Sequence, residues 1–385
     1  MTEQGIRPGY KQTEAGVIPE DWEAAALSQL CRLVNGRGFK PREWRREGYP
    51  IIRIQNLNGS DDFNYFSGKF DPKILVESNQ LLFAWSGSRG TSFGPHVWRG
   101  QAAVLNYHTW KIVTTEKKVD SDFFFHALRN LTKSIEDAAH GASALVHTQK
   151  REMENYLIPI PRELAEQRAI AQALADADGV IAGLEAVILK KRDLKQAAMQ
   201  HLLTGKTRLP GFSGEWELKR LGDLLTVRHG KSQKTVESIG GRYPILATGG
   251  EIGRTDAYLY DKPSVLIGRK GTIDDPQYVD SPFWTIDTLF YTEISARAVP
   301  QFIYYKFLMI DWRSYNEASG VPSLSSKTIE KIEIACPHLG EQTAIAEVLS
   351  DMDGDLAALG ARLAKACAVK QGMMQQLLTG KVRLI

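Results

Sequence analysis

Two stretches of the sequence place basic side chains beside glycine directly after an apolar run. They are LLFAWSGSRGTS at residues 81–92 and VLIGRKGTIDD at residues 265–275, and the Gly-Thr dipeptide of one pairs with that of the other. Arginine donates hydrogen bonds to phosphates and to base edges, and glycine lets backbone amides approach such groups. We therefore predict contacts with a polyanion, although a solvated hairpin turn would carry the same residues. The candidates are Ser86, Ser88, Arg89, Thr91, Arg269, Lys270 and Thr272.

Three further stretches offer polar side chains of suitable type. HGASALVHTQK at residues 140–150 and SGVPSLSSKT at residues 319–328 both precede an apolar phrase, and RIQN at residues 53–56 contains the amide side chains that pair with adenine. The first two stretches could equally be plain loops, and the amides of RIQN could equally cap a turn. The candidates here are Arg53, Gln55, Asn56, His147, Lys150, Ser323, Ser325 and Lys327.

Signatures of catalysis are missing from the sequence. The phrase DPQY at residues 275–278 lacks the second proline of an adenine methyltransferase motif, and Gln200 stands where a phosphate-binding loop ending at residues 205–207 needs glycine. The histidines show no metal-ligand spacing, and the three cysteines are predicted to be buried free thiols. The pattern favours a binding protein that is not an enzyme by itself and holds no cofactor or metal.

Composition sets only broad limits on the 385-residue chain. A net charge of +3 permits a polyanionic partner without demanding one. No stretch approaches the roughly 18 apolar residues of a membrane span, and the N-terminus lacks the apolar core of a signal peptide. We expect a cytoplasmic protein with no membrane contact.

The chain is a tandem duplication. EQRAIAQALADADG at 166–179 matches EQTAIAEVLSDMDG at 341–354, and LLTGKTRL at 202–209 matches LLTGKVRL at 377–384, both 175 residues apart. Each half begins with short apolar runs separated by turn residues, which indicate strands, and then changes to helical periodicity. This predicts an α+β protein with two mixed α/β domains and two long helices.

A heptad pattern predicts that the two helices pack on each other. Gly179 and Gly354 lie inside them, so we expect either close helix approach or a local break at these positions. The predicted seam consists of Ile170, Leu174, Ile181, Leu184, Ile188, Ile345, Leu349, Met352, Leu356, Leu359 and Leu363.

The phrase GVIPEDWE at 16–23, the paired EQxAIA phrases and the repeated LLTGKxRL together resemble the specificity subunit of Type I restriction-modification systems. The resemblance implies two target recognition domains and two antiparallel coiled-coil spacer helices related by a pseudo-two-fold axis. We expect the domains at 1–161 and 209–337 and the helices at 162–208 and 338–385. Head and tail of the duplicated unit are continuous in a circular sense, because GVIPEDWE is the phrase that would follow the second LLTGKxRL.

The family implies a non-catalytic subunit that binds double-stranded DNA. Its partners would be two adenine methyltransferase subunits, with or without two ATP-driven translocating nuclease subunits, and these partners would bind S-adenosylmethionine, ATP and Mg²⁺. Because RIQN in the first half is replaced by ATGG in the second, we predict an asymmetric target with two unlike half-sites. The alternatives are a coiled-coil adaptor whose domains bind proteins, and a nuclease or methyltransferase acting alone.

Overall fold

The computed structural model describes residues 6–138 and 145–384. The chain divides into two compact units, and both boundaries fall inside long helices. Unit 1 runs to Gly183 and resumes at Leu363, whereas unit 2 comprises Leu184–Arg362. Each unit therefore contains part of both long helices, α5 (Leu164–Leu202) and α9 (Leu339–Leu377).

Outside its parts of the two long helices, unit 1 is built mainly of short strands, as its brief apolar runs and turn residues predict. The strands are β1 (Tyr10–Thr13), β2 (Gly16–Pro19), β3 (Trp22–Ala26), β4 (Cys31–Asn35), β5 (Tyr49–Ile52), β6 (Tyr65–Phe66), β7 (Leu75–Val76), β8 (Leu81–Ala84), β9 (Ser86–Ser88), β10 (Gly94–Val97), β11 (Ala103–Leu105), β12 (Thr109–Thr114), β13 (Leu145–His147) and β14 (Leu157–Pro161). The short helices are α1 (Leu27–Leu30), α2 (Ile54–Leu57), α3 (Ser121–Ala138) and α4 (Lys150–Asn155), with 3-10 turns at Pro41–Glu43 and Pro72–Ile74.

Unit 2 repeats this plan with fewer strands among the described residues. The strands are β15 (Glu217–Arg220), β16 (Leu225–His229), β17 (Tyr243–Ala247), β18 (Gly250–Thr255), β19 (Ser264–Gly268), β20 (Gln277–Val279), β21 (Trp284–Thr285), β22 (Leu289–Ile294) and β23 (Glu333–Cys336). The short helices are α6 (Leu221–Leu224), α7 (Pro300–Met309) and α8 (Ser326–Lys331), with a 3-10 turn at Trp312–Tyr315.

The two units share one strand topology. Unit 1 has sheets in the orders β10-β8-β12-β4 and β6-β5-β11-β7, and unit 2 has β16-β22-β19-β20 and β18-β17-β21. In each unit one strand begins with the residues YPI, and it pairs in parallel with a neighbouring strand of its sheet, β5 with β11 and β17 with β21. The last strand of each domain, β14 or β23, precedes a long helix. It pairs antiparallel with a strand near the start of the same domain, β14 with β3 and β23 with β15. The sequence duplication is thus a duplication of fold.

Both long helices run through their internal glycines without a break. A Cβ atom built on Gly179 or on Gly354 meets nothing within 4 Å. The expected close approach of the helices at these positions is wrong, and so is the alternative of a local break. The glycines stand at exposed helix positions.

Within each unit the two helix segments pack antiparallel through the predicted seam. In unit 1 Ile170 and Leu174 share a core with Leu377, and in unit 2 Ile345 and Leu349 share a core with Leu202. Ile170, Leu174, Ile345 and Leu349, which lie near the strand-rich domains, are buried, as is Ile188 in the middle of α5. The other seam residues are half-buried, since one facing helix covers a residue from one side only. The half-buried set is Ile181, Leu184, Met352, Leu356, Leu359 and Leu363. None of the helices in residues 6–138 and 145–384 is long and apolar enough to cross a membrane.

Candidate nucleic-acid interface

A buried Trp–Glu–Arg cluster joins the long helices of unit 1 to its strand-rich domain. Glu166, only 2% exposed, accepts hydrogen bonds from Trp22 Nε1 at 3.2 Å and from both Nε and Nη2 of Arg383. Arg383 also donates to both carboxylate oxygens of Asp21 at 3.0 and 2.8 Å, which lowers the pKa of Asp21. The second LLTGKxRL phrase therefore docks on the phrase GVIPEDWE, which confirms the head-to-tail continuity expected from the sequence.

Unit 2 contains the same cluster at equivalent positions. Glu341 is fully buried and accepts from Trp216 Nε1 at 3.2 Å and from Arg208 Nε and Nη2 at 2.5 and 2.6 Å. In unit 2 both Arg208 and Trp216 lie in the segment that connects α5 to β15. The glutamate of the EQxAIA phrase thus fixes the start of each domain and the end of each LLTGKxRL phrase.

The glutamine of EQxAIA orients a domain helix in each unit. Gln167 Oε1 accepts from the backbone N–H of Asp120 at 2.7 Å, directly before α3, and Gln342 Oε1 accepts from that of Val299 at 2.9 Å, directly before α7. Their Nε2 groups donate to the carbonyls of Pro161 and Pro337 at 2.8 and 2.9 Å. Position 120 is therefore equivalent to position 299.

Ion pairs interrupt the apolar seam at repeated positions. Lys370 pairs with Asp178 in unit 1, and Lys195 pairs with Asp353 in unit 2. In unit 2 Tyr305 also donates to Asp353 at 2.7 Å. The equivalent residue of unit 1 is His126, 4% exposed and with no hydrogen-bond partner for Nδ1 in the described chain. Burial, with a smaller contribution from Lys370, lowers the pKa of His126 to about 4.

In unit 2 the structure brings the basic turn and the small-residue loop together. The Arg269 amide donates to Thr288 O at 2.8 Å, and its Nη1 donates to Asp287 O at 3.1 Å. Lys270 forms an isolated β-bridge with Ser323, and the amide of the next residue donates to the loop backbone. The side chains of Lys270, Thr272 and Lys327 are exposed beside this junction.

Unit 1 makes the corresponding junction as a two-stranded ribbon of β9 and β13. Ser86 pairs with His147, and Ser88 pairs with Leu145, so the two predicted stretches again meet. Residues 140–144 of the small-residue stretch lie outside the described residues. Arg89 and Thr91 are exposed at the turn after β9, and Lys150 begins α4, where it pairs with Glu154 at 3.6 Å.

Two candidate side chains have structural partners that occupy their polar groups. Asn56, 8% exposed, accepts from Arg53 N at 3.0 Å and donates to Ser60 O and Asp62 O at 3.0 and 2.9 Å, so it closes the turn at α2. Ser325 caps α8 by accepting from Thr328 N at 3.2 Å. Asn56 thus caps a turn, as anticipated in the alternative for RIQN, whereas the helix cap at Ser325 was not anticipated. Contact of either residue with a ligand stays a prediction.

The exposed Gln55 and the half-buried Arg53 lie together at the edge of one pocket.

Strand equivalence identifies a residue that sequence reasoning missed. Trp85 N donates to His108 O at 3.2 Å and Trp85 Nε1 to Tyr107 O at 2.9 Å, which are the two bonds that Arg269 makes in unit 2. Trp85, rather than Arg89, therefore occupies the position of Arg269. The phrase WSGSRGTS gave no signal for this tryptophan. Trp85 lies three residues farther from its turn glycine than Arg269 does, so aligning the two turns by their Gly-Thr pairs does not match these residues. The Trp–Glu–Arg clusters were also missed, although all their members lie in repeated phrases.

Comparison with known proteins places this arrangement in context. Residues 19–191 and 213–365 match the family described as Type I restriction modification DNA specificity domain. The chain is 23% identical to the Type I restriction enzyme MjaVIII specificity subunit of Methanocaldococcus jannaschii, over 97% of this chain and 96% of that protein. It is 29% identical to the Type I restriction enzyme EcoBI specificity subunit of Escherichia coli, over 49% of this chain and 40% of that protein.

Solved structures show the same fold. The S subunit of a Type I restriction-modification system from M. genitalium superimposes with a TM-score of 0.65 at 18% identity, covering 97% of this chain and 99% of that one. A chain from a structure of a Type I restriction-modification system gives a TM-score of 0.59 at 15% identity, covering 95% and 99%.

Proposed function

Because the chain belongs to the Type I restriction-modification DNA specificity family, we propose that its two units read the two unlike halves of one asymmetric DNA target. The chain then positions adenine methyltransferase subunits on that target. Methyl transfer belongs to those partners, which bind S-adenosylmethionine. Where translocating nuclease subunits join, they bind ATP and Mg²⁺.

One observation carries this proposal: the supporting residues are the same in both units, whereas the residues at the reading edge differ. The Trp–Glu–Arg cluster and the orienting glutamine recur atom by atom. At the junction Trp85 replaces Arg269, and His147 replaces Ser323. Two identical supports that present different side chains suit a target with two different half-sites.

The long helices supply surface for the protein partners. Several apolar side chains on them are exposed in their own units, namely Val180, Val187, Leu189, Leu194, Val348 and Val369. Exposed apolar residues along a helix face are typical of protein interaction sites. Two weak DNA contacts in one chain also act at high effective concentration, so the pair binds a two-part site far better than either alone.

The proposal is tested by base-resolution mapping of adenine methylation in cells that contain or lack this chain. We expect a split motif with unequal halves that disappears when the chain is deleted. Lys270→Ala together with Arg269→Ala should relax one half only. Lys381→Ala, at an exposed position after the last long helix, serves as the control. Methylation that is unchanged on deletion, or a motif relaxed equally in both halves, would contradict the proposal.

A further inference from the structure

A small aromatic pocket in unit 1 contains an arginine that has no acid partner among the described residues. The pocket has a volume of about 310 Å³ and is lined by Phe39, Trp44, Arg53, Gln55, Tyr107 and His108, among others. The guanidinium of Arg53 lies 5.4 Å above the Trp44 ring, and its buried Nε has no hydrogen-bond partner in residues 6–138 and 145–384. The Arg53 side chain makes no hydrogen bond or ion pair within these residues, so the guanidinium N–H groups that line the pocket remain able to donate to a ligand.

The pocket wall is held in place by ring contacts that reach the hydrophobic core. Tyr107 is 47% exposed, and its ring centroid lies 3.8 Å from that of His108. The His108 ring packs against Trp85 at 5.5 Å, and Trp85 stacks on Trp110 at 6.0 Å. Aromatic walls of this kind suit the flat face of a nucleobase, because bases stack on aromatic side chains.

The loop beside the pocket is basic. Lys40, Arg42 and Arg46 are exposed on residues 40–48, next to the pocket residue Trp44. Glu43 of the same loop is already bonded to Arg37 and to the backbone of Lys40. Glu47 is also exposed on this loop, but the cations outnumber it, so the rim at the mouth of the aromatic pocket is net positive. A positive rim beside an aromatic pocket matches the phosphate and base of one nucleotide.

Resting on the DNA-reading function proposed above, we propose that this pocket binds one guanine of the half-site read by unit 1, with Arg53 donating to its O6 and N7. Arginine is the side chain that most often makes this bidentate contact. The basic loop contacts the adjacent phosphates and carries no sequence preference.

Unit 2 lacks the chemistry of this pocket. Strand pairing places Ala247 at the position of Arg53, and Asp287 at that of Tyr107. The Ala247 carbonyl accepts from Gln277 Nε2 at 3.1 Å. The guanine contact therefore belongs to one half-site only.

The test uses the full chain assembled with its methyltransferase partner and duplexes of the mapped target. Each guanine of the unit 1 half-site is replaced in turn by 7-deazaguanine, which lacks the N7 acceptor. We expect one position at which this replacement weakens binding about tenfold for the wild type. With Arg53→Ala the same replacement should cause no further loss, which separates lost contact from misfolding.

Matched variants separate the pocket from general charge effects. Arg42→Ala should weaken binding to all duplexes equally and reduce the slope of log affinity against log salt by about one. Arg99→Ala, whose guanidinium donates to Asn79 at 3.1 Å outside the pocket, should leave the base profile unchanged. Because the pocket takes the flat face of the base, a mismatch opposite the contacted guanine should tighten binding, since an unpaired base leaves the stack at lower cost. Equal or weaker binding to the mismatched duplex would contradict binding in the pocket.

The inference is overturned if no 7-deazaguanine effect depends on Arg53, if the dependence falls in the other half-site, or if the unit 1 half-site contains no guanine. A wild-type complex that binds no duplex with sequence preference would instead count against the proposed function.

Discussion

The Trp–Glu–Arg cluster of unit 1 predicts a measurable loss of stability when its arginine is removed. In Arg383→Met, Glu166 stays 2% exposed in the fold but keeps only the hydrogen bond from Trp22. Leaving one member of a buried ion pair uncompensated costs roughly 3–5 kcal/mol. Because the Arg383 side chain is 29% exposed, solvent already screens part of this interaction, and we expect about 2 kcal/mol.

Native-state hydrogen exchange is the appropriate assay, because it resolves unit 1 from unit 2. Amides of the β1–β2 hairpin and of the first turns of α5 should exchange about 30-fold faster in Arg383→Met. Lys381→Met changes an exposed neighbour of similar length and should stay within about 0.5 kcal/mol of wild type.

A second substitution separates the uncompensated charge from lost packing. Glu166→Gln in the Arg383→Met background removes the buried charge, while its amide oxygen still accepts from Trp22 Nε1. This double variant should recover part of the lost protection. Unchanged exchange in Arg383→Met, or a double variant less protected than the single one, would refute the reasoning.

Further predictions address other contacts. Because folding lowers the pKa of His126 to about 4 from its ordinary 6.5, the unfolded chain binds more protons between these values. Stability should therefore fall as pH drops from 6.5 to 4, and His126→Tyr should abolish this part of the dependence in urea titrations at several pH values. Gly380→Ala should destabilise more than Gly205→Ala in thermal melts, because a Cβ at 380 lies 2.5 Å from a proline ring whereas the nearest atom at 205 is 3.4 Å away. Leu356→Asp with Leu359→Asp should disrupt helix packing, and a soluble, fully active assembly would contradict the seam.

The regular elements were predictable because their signals are local. The heptad spacing of Ile170 and Leu174 marked α5, and the apolar run LLFA marked β8. How deeply each seam residue is buried was predictable only in part. Leu356 is half-buried because its exposure depends on how much of the side chain the opposite helix covers.

The site was less predictable because its contacts join distant residues. Arg383 and Glu166 are 217 residues apart, and neither repeated phrase contains a signal that predicts their contact. Arg53 was a candidate from its sequence context, but its place above Trp44 depends on the bridge of Arg45 to Tyr65 and on the pairing of β6 with β5. The turn at Asn56 shows the opposite case, in which a suitable side chain is occupied by its own backbone.

The division of the chain into units also bears on the order of events during synthesis. Unit 2 is one continuous segment, Leu184–Arg362, whereas unit 1 needs residues from Leu363 onwards. Its core includes Leu377 and Leu378, and Glu166 finds its arginine only at position 383. During synthesis the residues of unit 2 are therefore all present before unit 1 receives its last helix segment. Unit 1 is begun first, but its final contacts form after those of unit 2 can form. A nascent chain that stops before Leu363 would leave Trp22 and Glu166 without their final partner, Arg383.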